Sequence, residues 1–417
     1  MTSASPEAPR ISDTKYWLPR RWNTINGSGK LPSSERPMHK PRIAVIGAGP
    51  GGLTLARILH LRGIPASVFE RDKFSAFRPQ GGSLDMHGES GQFAIECAGL
   101  NTEFKQIARY EDQESRVYDK YGKLRFIDDD VTGRNRPEVD RGQLRQMLLD
   151  SLPAGVIHWG HELGAIERQG DGRYQLVFPN DISDSFDLVV GADGAWSRVR
   201  PLVSQARPIY SGVAFVELGI DDADTRCPEL ARVIGRGSMF ALGDSKALIG
   251  HRDANGRLGI YAALRAPQDW IETGGLDMSS PAATKSGLAV HFSGWSEILL
   301  ELIYRSDDRI TPRTIHVLPV GHRWDNRSGI TLLGDAAHLM SPFGGDGCNL
   351  AMQDGAELAL ALVGNPDWRT AVQGWEAAMF ARAEPAAADA WDALQAAFSE
   401  DGLANILRAM EMQRGAG

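Results

Sequence analysis

Three glycines, Gly47, Gly49 and Gly52, stand at GxGxxG spacing straight after the apolar run IAVI, and Glu70 closes a second apolar run, ASVFE. That combination suits the cradling of a dinucleotide. The first glycine permits a tight turn, the second lets backbone approach a pyrophosphate, and the third lets helix and strand pack closely. A carboxylate at Glu70 would accept hydrogen bonds from adenosine ribose hydroxyls and repel a 2′-phosphate, so the tightly held nucleotide is expected to be FAD or NAD rather than NADP. The elements needed to position these groups follow in order: a strand, the glycine turn, the helix GLTLARILHLRG closed by Gly63, and a second strand.

The whole chain sets limits on what else can be done. Its 417 residues exceed one average core, so two domains are expected. With 42% hydrophobic and 24% charged residues the composition is that of an ordinary globular protein, and a net charge of −8 gives no footprint for nucleic acid. Charged residues, Gly or Pro interrupt every apolar run before the ~18–20 residues of a membrane span. Cys97, Cys227 and Cys348 show no CxxC spacing and the histidines no HExxH, so neither disulfides nor a metal are expected, and a reducing cytoplasm fits. Residues 1–37, rich in Ser, Pro and Arg, read as a disordered extension. No apolar stretch follows Arg20-Arg21, and Glu7, Asp13 and Glu35 argue against a transit peptide; a shorter start at Met38 is compatible.

Two further strand–turn–helix segments occur, FDLVVGADGAWSRVR at 186–200 and GITLLGDAAHLMSPFGGDGCNLAMQDGAELALAL at 329–362. A dehydrogenase with one Rossmann domain needs neither. Between them GVAFVELGI, SMFALG, KALIGHRD and RLGIYAALR, separated by turns at GDSK and DANG, predict an antiparallel sheet that covers the nucleotide and floors a pocket. From Trp368 to Met412, Trp375, Phe380, Trp391 and Phe398 recur at loosely helical spacing, which predicts a helix whose aromatic stripe is mostly core.

The order GxGxxG, DG, GD resembles the flavoprotein aromatic hydroxylases, single-component FAD-dependent monooxygenases with a para-hydroxybenzoate hydroxylase-like fold. Within them VFERD at 68–72, GGSLDMHGESGQ at 81–92, EVDRGQLRQMLL at 138–149 and GDAAHLMSPFGGDG at 334–347 are similar to the tetracycline-inactivating enzymes. The resemblance implies an α/β fold: a Rossmann-like FAD-binding domain from 40–205 and 316–365, an antiparallel β-sheet substrate domain from 206–315, and a C-terminal bridging helix and tail from 366–417. It also implies roles. Glu70 and Arg71 would contact the adenosine half of FAD, Arg141 would bond the cofactor from the side, and Asp85 and Asp335 would contact the flavin half, Asp335 at a ribityl hydroxyl. Arg78 matches a position that handles NADPH. The helix that begins near Gly345 to Asn349 would point its N-terminus, with free N–H groups, at the pyrimidine edge where reduced flavin is anionic. Asp346 departs from the uncharged amide usual there and opposes that anion, so either its side chain faces solvent or the flavin potential is lowered.

Met340, Pro342 and Phe343 are expected either to shape the wall beside the isoalloxazine ring, where Pro342 and Phe343 would meet substrate, or to pack the loop, His338 to be a hydrogen-bonded structural residue, and Asp193 either to hold its own turn or to shape the loop. Glu217, Ser238 and Gly259 align with substrate-facing positions but do not reproduce the family's amide, guanidinium and imidazole. A tetracycline is therefore one candidate substrate beside other planar, oxygenated aromatics or polycycles. The implied reaction uses no amino-acid nucleophile: NADPH reduces FAD, O2 adds at flavin C4a, one oxygen atom enters the substrate and the other leaves as water. With one GxGxxG, NADPH has no Rossmann domain of its own. An FAD-dependent dehydrogenase or reductase, or a flavin-binding redox sensor, shares the cofactor fold; a halogenase is disfavoured because WxWxIP is absent. A monomer acting on small molecules is the expected state.

Overall fold

Continuous apolar runs mark strands buried on both faces. Strands of this kind, joined at one edge by the half-buried Ile157–Trp159, form a five-stranded parallel sheet in the computed structural model, which describes residues 40–77, 82–129, 135–179 and 181–415. Their order in space is Ile330–Leu332, Leu188–Gly191, Ile43–Ile46, Ala66–Glu70 and Ile157–Trp159. The strands that carry the GD, DG and GxGxxG turns are therefore neighbours running in one direction, and Asp335, Asp193 and Gly47 emerge at the same edge. Ligands of open parallel sheets bind at that edge, beyond the carboxyl ends of the strands. Helix Pro50–Leu61 returns the chain after the glycine turn and ends before Gly63, whose φ of 64° suits glycine.

The second sheet has seven strands in the order Thr311–Val317, Ile209–Ile220, Leu258–Arg265, Lys246–Arg252, Ser238–Gly243, Ser115–Asp119 and Leu124–Asp128. Its three central hairpin strands follow the expected turns, and Asp244 and Ser245 both take the positive φ of a two-residue hairpin loop. Three features differ from the sequence reading. Residues 115–128 lie outside 206–315 yet complete the sheet, and Ser115–Asp119 pairs parallel to Ser238–Gly243, so the sheet is mixed. Helices Pro228–Ile234, Pro281–His291 and Glu297–Tyr304 interrupt what reads as a run of strands. They exist because alternation gives the sheet two apolar faces: Leu218, Leu248, Ile260 and Ala262 point outward and need the cover that Leu230, Leu288, Phe292 and Leu299 supply. The single C-terminal helix is in fact two, Trp368–Ala397 and Gly402–Gly415.

The inner face of this sheet carries Val213, Phe215, Ile249 and Ala263, packed with Leu394, Ala397 and Phe398 from the end of the long helix. That helix begins in the other half, where Trp375 is buried in the nucleotide-domain core and Phe380 meets Trp324 edge-on at 4.7 Å. It thus ties the two cores together. Residues 1–37 and Arg78 lie outside the described residues. Among the described residues, no helix is long and apolar enough to cross a membrane.

Candidate functional site

The glycine turn is built by close approach. Gly47 has φ 107°, and a Cβ on it would collide with the carbonyl of Ala192, the residue after the neighbouring strand. A Cβ on Gly52 would collide with the carbonyl of Gly47. Gly49 is different: a Cβ there meets nothing within 4 Å, and its φ of −81° and ψ of 173° are open to any residue. Space is thus kept clear in front of Gly49, where a pyrophosphate would lie. Glu70 is buried and braces the turn, accepting from the Ala48 N–H at 2.7 Å and the Asp72 N–H at 3.0 Å. A carboxylate has lone pairs beyond these two bonds for a ribose. Arg71 beside it is exposed.

Residues the sequence reading passed over hold this turn. Arg145, buried, donates to the Ala48 carbonyl at 2.9 Å and the Ser75 carbonyl at 2.8 Å, and its guanidinium lies over Trp159. Gly51 and Gly355 let helices Pro50–Leu61 and Gly347–Gly364 cross in backbone contact. The GQLRQ pattern and the paired small residues were the signals available.

Beside this turn, three further loops converge. Asp335 is exposed at the start of the short helix Asp335–His338, and its Oδ1 lies 4.0 Å from where a Cβ would stand on Gly347. A Cβ on Gly345 would be 3.2 Å from Asp85 Oδ1. Arg141 opens helix Arg141–Asp150, its N–H bonded to the Gly82 carbonyl at 3.1 Å, and its charge is felt by both Cys348 and Tyr261. Asp193 accepts from the Arg198 N–H at 2.7 Å and shapes the DG turn, and burial pushes its carboxyl upward. Arg200, unforeseen, is buried between the DG and GD turns and donates to the Ala336 carbonyl at 2.8 Å.

His87 sits between Asp85 and Asp346. Its Nε2 is 2.8 Å from Asp85 Oδ2 and its Nδ1 is 3.2 Å from Asp346 Oδ1. Asp346 therefore does not simply face solvent. Burial disfavours a charge on His87, but the hydrogen bonds to Asp346 and Asp85 outweigh it and raise its pKa from 6.5 to about 9. Because the folded value lies above the unfolded one, the stability from this contact is full below pH 6.5 and lost as pH rises through about 9. Thermal melts across that range should show the decline in wild type and a flatter profile in His87→Gln.

His338 is buried and its Nε2 lies 2.6 Å from Asp354 Oδ2. Asp354 also accepts from the Gly334 N–H at 3.0 Å and from Arg382 at 2.8 Å. His338 is thus part of the turn's support. Met340 is buried with Leu350 and Ala390 beneath the loop rather than facing the substrate space. Pro342 is exposed and Phe343 projects toward the sheet, its ring 5.5 Å from Phe398 and 6.4 Å from Phe215.

Cross-strand partners share a face. Ser115, Ser238, His251, Gly259 and Gly219 form one inward row, and Val117, Phe240, Ile249, Tyr261 and Glu217 the next. Glu217, Ser238 and Gly259 are thereby brought to one surface, which faces the cofactor side: a Cβ on Gly82 would meet Tyr261 Oη at 3.3 Å. His251, missed by the sequence reading, bonds Ser238 Oγ through Nδ1 at 2.9 Å, and burial lowers its pKa to about 4, leaving it neutral. Glu217 is paired with Arg313 at 2.5 Å.

The open cradle at Gly49, the exposed carboxylate of Asp335 beside a helix N-terminus and the three converging turns fit a flavin dinucleotide. Fold and site together define a flavin-dinucleotide-binding protein. Residues 40–234 and 319–365 match the family described as FAD binding domain. The chain belongs to that family. It is 33% identical to monooxygenase penA of Penicillium thymicola, over 89% of this chain and 98% of that protein. HpxO of Klebsiella pneumoniae, solved with FAD and uric acid, shares the fold at a TM-score of 0.75 and 21% identity, covering 89% of this chain and 92% of that one. The tetracycline destructase Tet(51) shares it at 0.64 and 20%, covering 89% and 96%.

Proposed function

We propose that this protein inserts one oxygen atom from O2 into an uncharged, electron-rich aromatic or polycyclic substrate, with NADPH as electron donor. Bound FAD, once reduced, would supply the activated oxygen. The residues of the chain bind, orient and exclude water. Gly47, Gly49, Gly52, Glu70 and Arg71 would hold the adenosine and pyrophosphate; Asp85, Arg141, Asp335 and Gly347 the flavin half. Phe343 and the sheet face would fix the substrate against it.

The observation that carries the substrate reading is the inward sheet surface. The partly buried Phe240 and Tyr261 make its uncovered part aromatic, His251 is neutral, and the guanidinium of Arg313 is engaged by Glu217. Apolar walls with a few placed polar groups suit a flat, uncharged ligand. The amide, guanidinium and imidazole of tetracycline-inactivating relatives are absent at 217, 238 and 259, so a tetracycline is the less favoured substrate.

Mass spectrometry of uncharged phenolic polycycles and tetracyclines, after incubation with enzyme, FAD, NADPH and air, tests the reading: a gain of ~16 mass units on the former is expected. NADPH consumption that yields only hydrogen peroxide across the panel would refute it. A second test uses Glu217→Gln. Releasing Arg313 should raise the affinity for 2-naphthoate about tenfold while leaving 2-naphthamide within about twofold, read by perturbation of the flavin absorbance. Equal changes for both ligands would place the pair outside substrate recognition.

A further inference from the structure

Asp346 caps the helix Gly347–Gly364 through its backbone carbonyl, which accepts from the Leu350 N–H at 2.8 Å, while its carboxylate bonds none of the helix's N–H groups, so the side-chain charge is not absorbed by the helix end. An uncompensated carboxylate at this place would cancel the positive field of the helix N-terminus. The structure supplies a compensating group. The His87 side chain is only 5% exposed, and each of its ring nitrogens faces a carboxylate oxygen, Asp85 at 2.8 Å and Asp346 at 3.2 Å. A neutral imidazole has one N–H and one lone pair, so it can satisfy one acid and must repel the other; two donors require the imidazolium. The backbone is fastened to match. His87 N–H donates to Asn349 Oδ1 at 3.0 Å, and Asn349 Nδ2 donates to the Asp85 carbonyl at 2.8 Å. Asn349 is fully buried one turn along the same helix. The charge of Arg136 also acts on His87 and opposes its protonation.

We infer that His87 is a positioning residue that neutralises Asp346 as an imidazolium, keeping the start of helix Gly347–Gly364 electropositive toward reduced flavin. The inference rests on the flavin reading above. It adds a function to a residue outside every assigned contact, and it explains how an acid is tolerated where an uncharged amide would be expected. Asp346 and His87 act as one neutral unit, with Asp85 holding the ring from the other side.

The test is the flavin midpoint potential, measured anaerobically against reference dyes, in FAD-loaded wild type, His87→Gln, Asp346→Asn and the double variant. His87→Gln should shift the potential negative and raise the FAD dissociation constant about tenfold, because a bare carboxylate then faces the cofactor. Asp346→Asn should shift it positive, and the double variant should return to near the wild-type value. Above pH ~9 the wild-type potential should fall faster than that of the double variant, as His87 loses its proton. An unchanged potential in His87→Gln, or no recovery in the double variant, would overturn the assignment. If His87→Gln does not fold, the 15N shifts of His87 in the wild type decide instead. Wild type that takes up no FAD would sink the flavin reading instead. In that case 15N shifts of His87 in the apoprotein still report on the charge: two protonated ring nitrogens at neutral pH support the imidazolium, and one protonated nitrogen refutes it.

Discussion

Gly49→Val should emerge from purification folded and colourless. The backbone at this position, φ −81° and ψ 173°, is one that valine adopts freely, and its Cβ would meet nothing within 4 Å. The unliganded protein therefore has no reason to object. The isopropyl group instead fills the space in front of the turn, and a bound pyrophosphate would need to displace it. Overpacking of about 3 kcal/mol corresponds to about 100-fold weaker FAD binding. The informative comparison is Gly52→Ala, where the added methyl strikes the Gly47 carbonyl and the fold itself must give. Circular dichroism and thermal melting should match an apo wild-type control for Gly49→Val and fall for Gly52→Ala. Normal flavin absorbance in purified Gly49→Val would show that the cofactor does not lie over this turn.

Asp354→Ala should cause the largest loss of stability of any single substitution around the GD turn. The carboxylate is fully buried and answers three donors: the Gly334 N–H, His338 and Arg382. Burial alone would raise its pKa, but the charges and hydrogen bonds of His338 and Arg382, with the Gly334 N–H, hold it below the usual carboxylate range. Removing one side of a buried ion pair leaves the other uncompensated, at a cost of about 3–5 kcal/mol. That is a large fraction of the ~5–15 kcal/mol that holds a domain together. Gly334, at φ 58° and ψ −142°, would lose the acceptor that fixes it, so FAD affinity should fall along with the melting temperature. Asp354→Asn keeps the acceptor for Gly334 but not the charge, and it should lie between wild type and alanine. A melting temperature for Asp354→Ala within 1–2 °C of wild type would mean the network contributes little.

The nucleotide half was legible because its signals are local. Glycine spacing, an acid at the end of the next strand and two later turns each lie within one strand–turn–helix unit, and parallel strands bring such turns to a shared edge. The sheet was legible only in part. Hairpins around Asp244-Ser245 announce themselves, but Ser115–Asp119 reaches its partner Ser238–Gly243 across more than a hundred residues and in parallel, with no turn to signal the pairing. The helices at 228–234, 281–291 and 297–304 were missed because their apolar residues answer to a sheet face that the sequence does not display. At the site, Asp346 was visible as an anomaly and His87 was not, since the two lie far apart in the chain and meet only when the 81–92 and 334–347 loops converge.

The strands at 115–128 also decide where the molecule can be cut. A segment bounded at 206 and 315 would leave Ser238–Gly243 as a raw margin, its N–H and C=O groups open to association with any passing strand. Transplanting the recognition surface into a related scaffold would thus require two donor pieces, and chimaeras that carry the later one alone should aggregate.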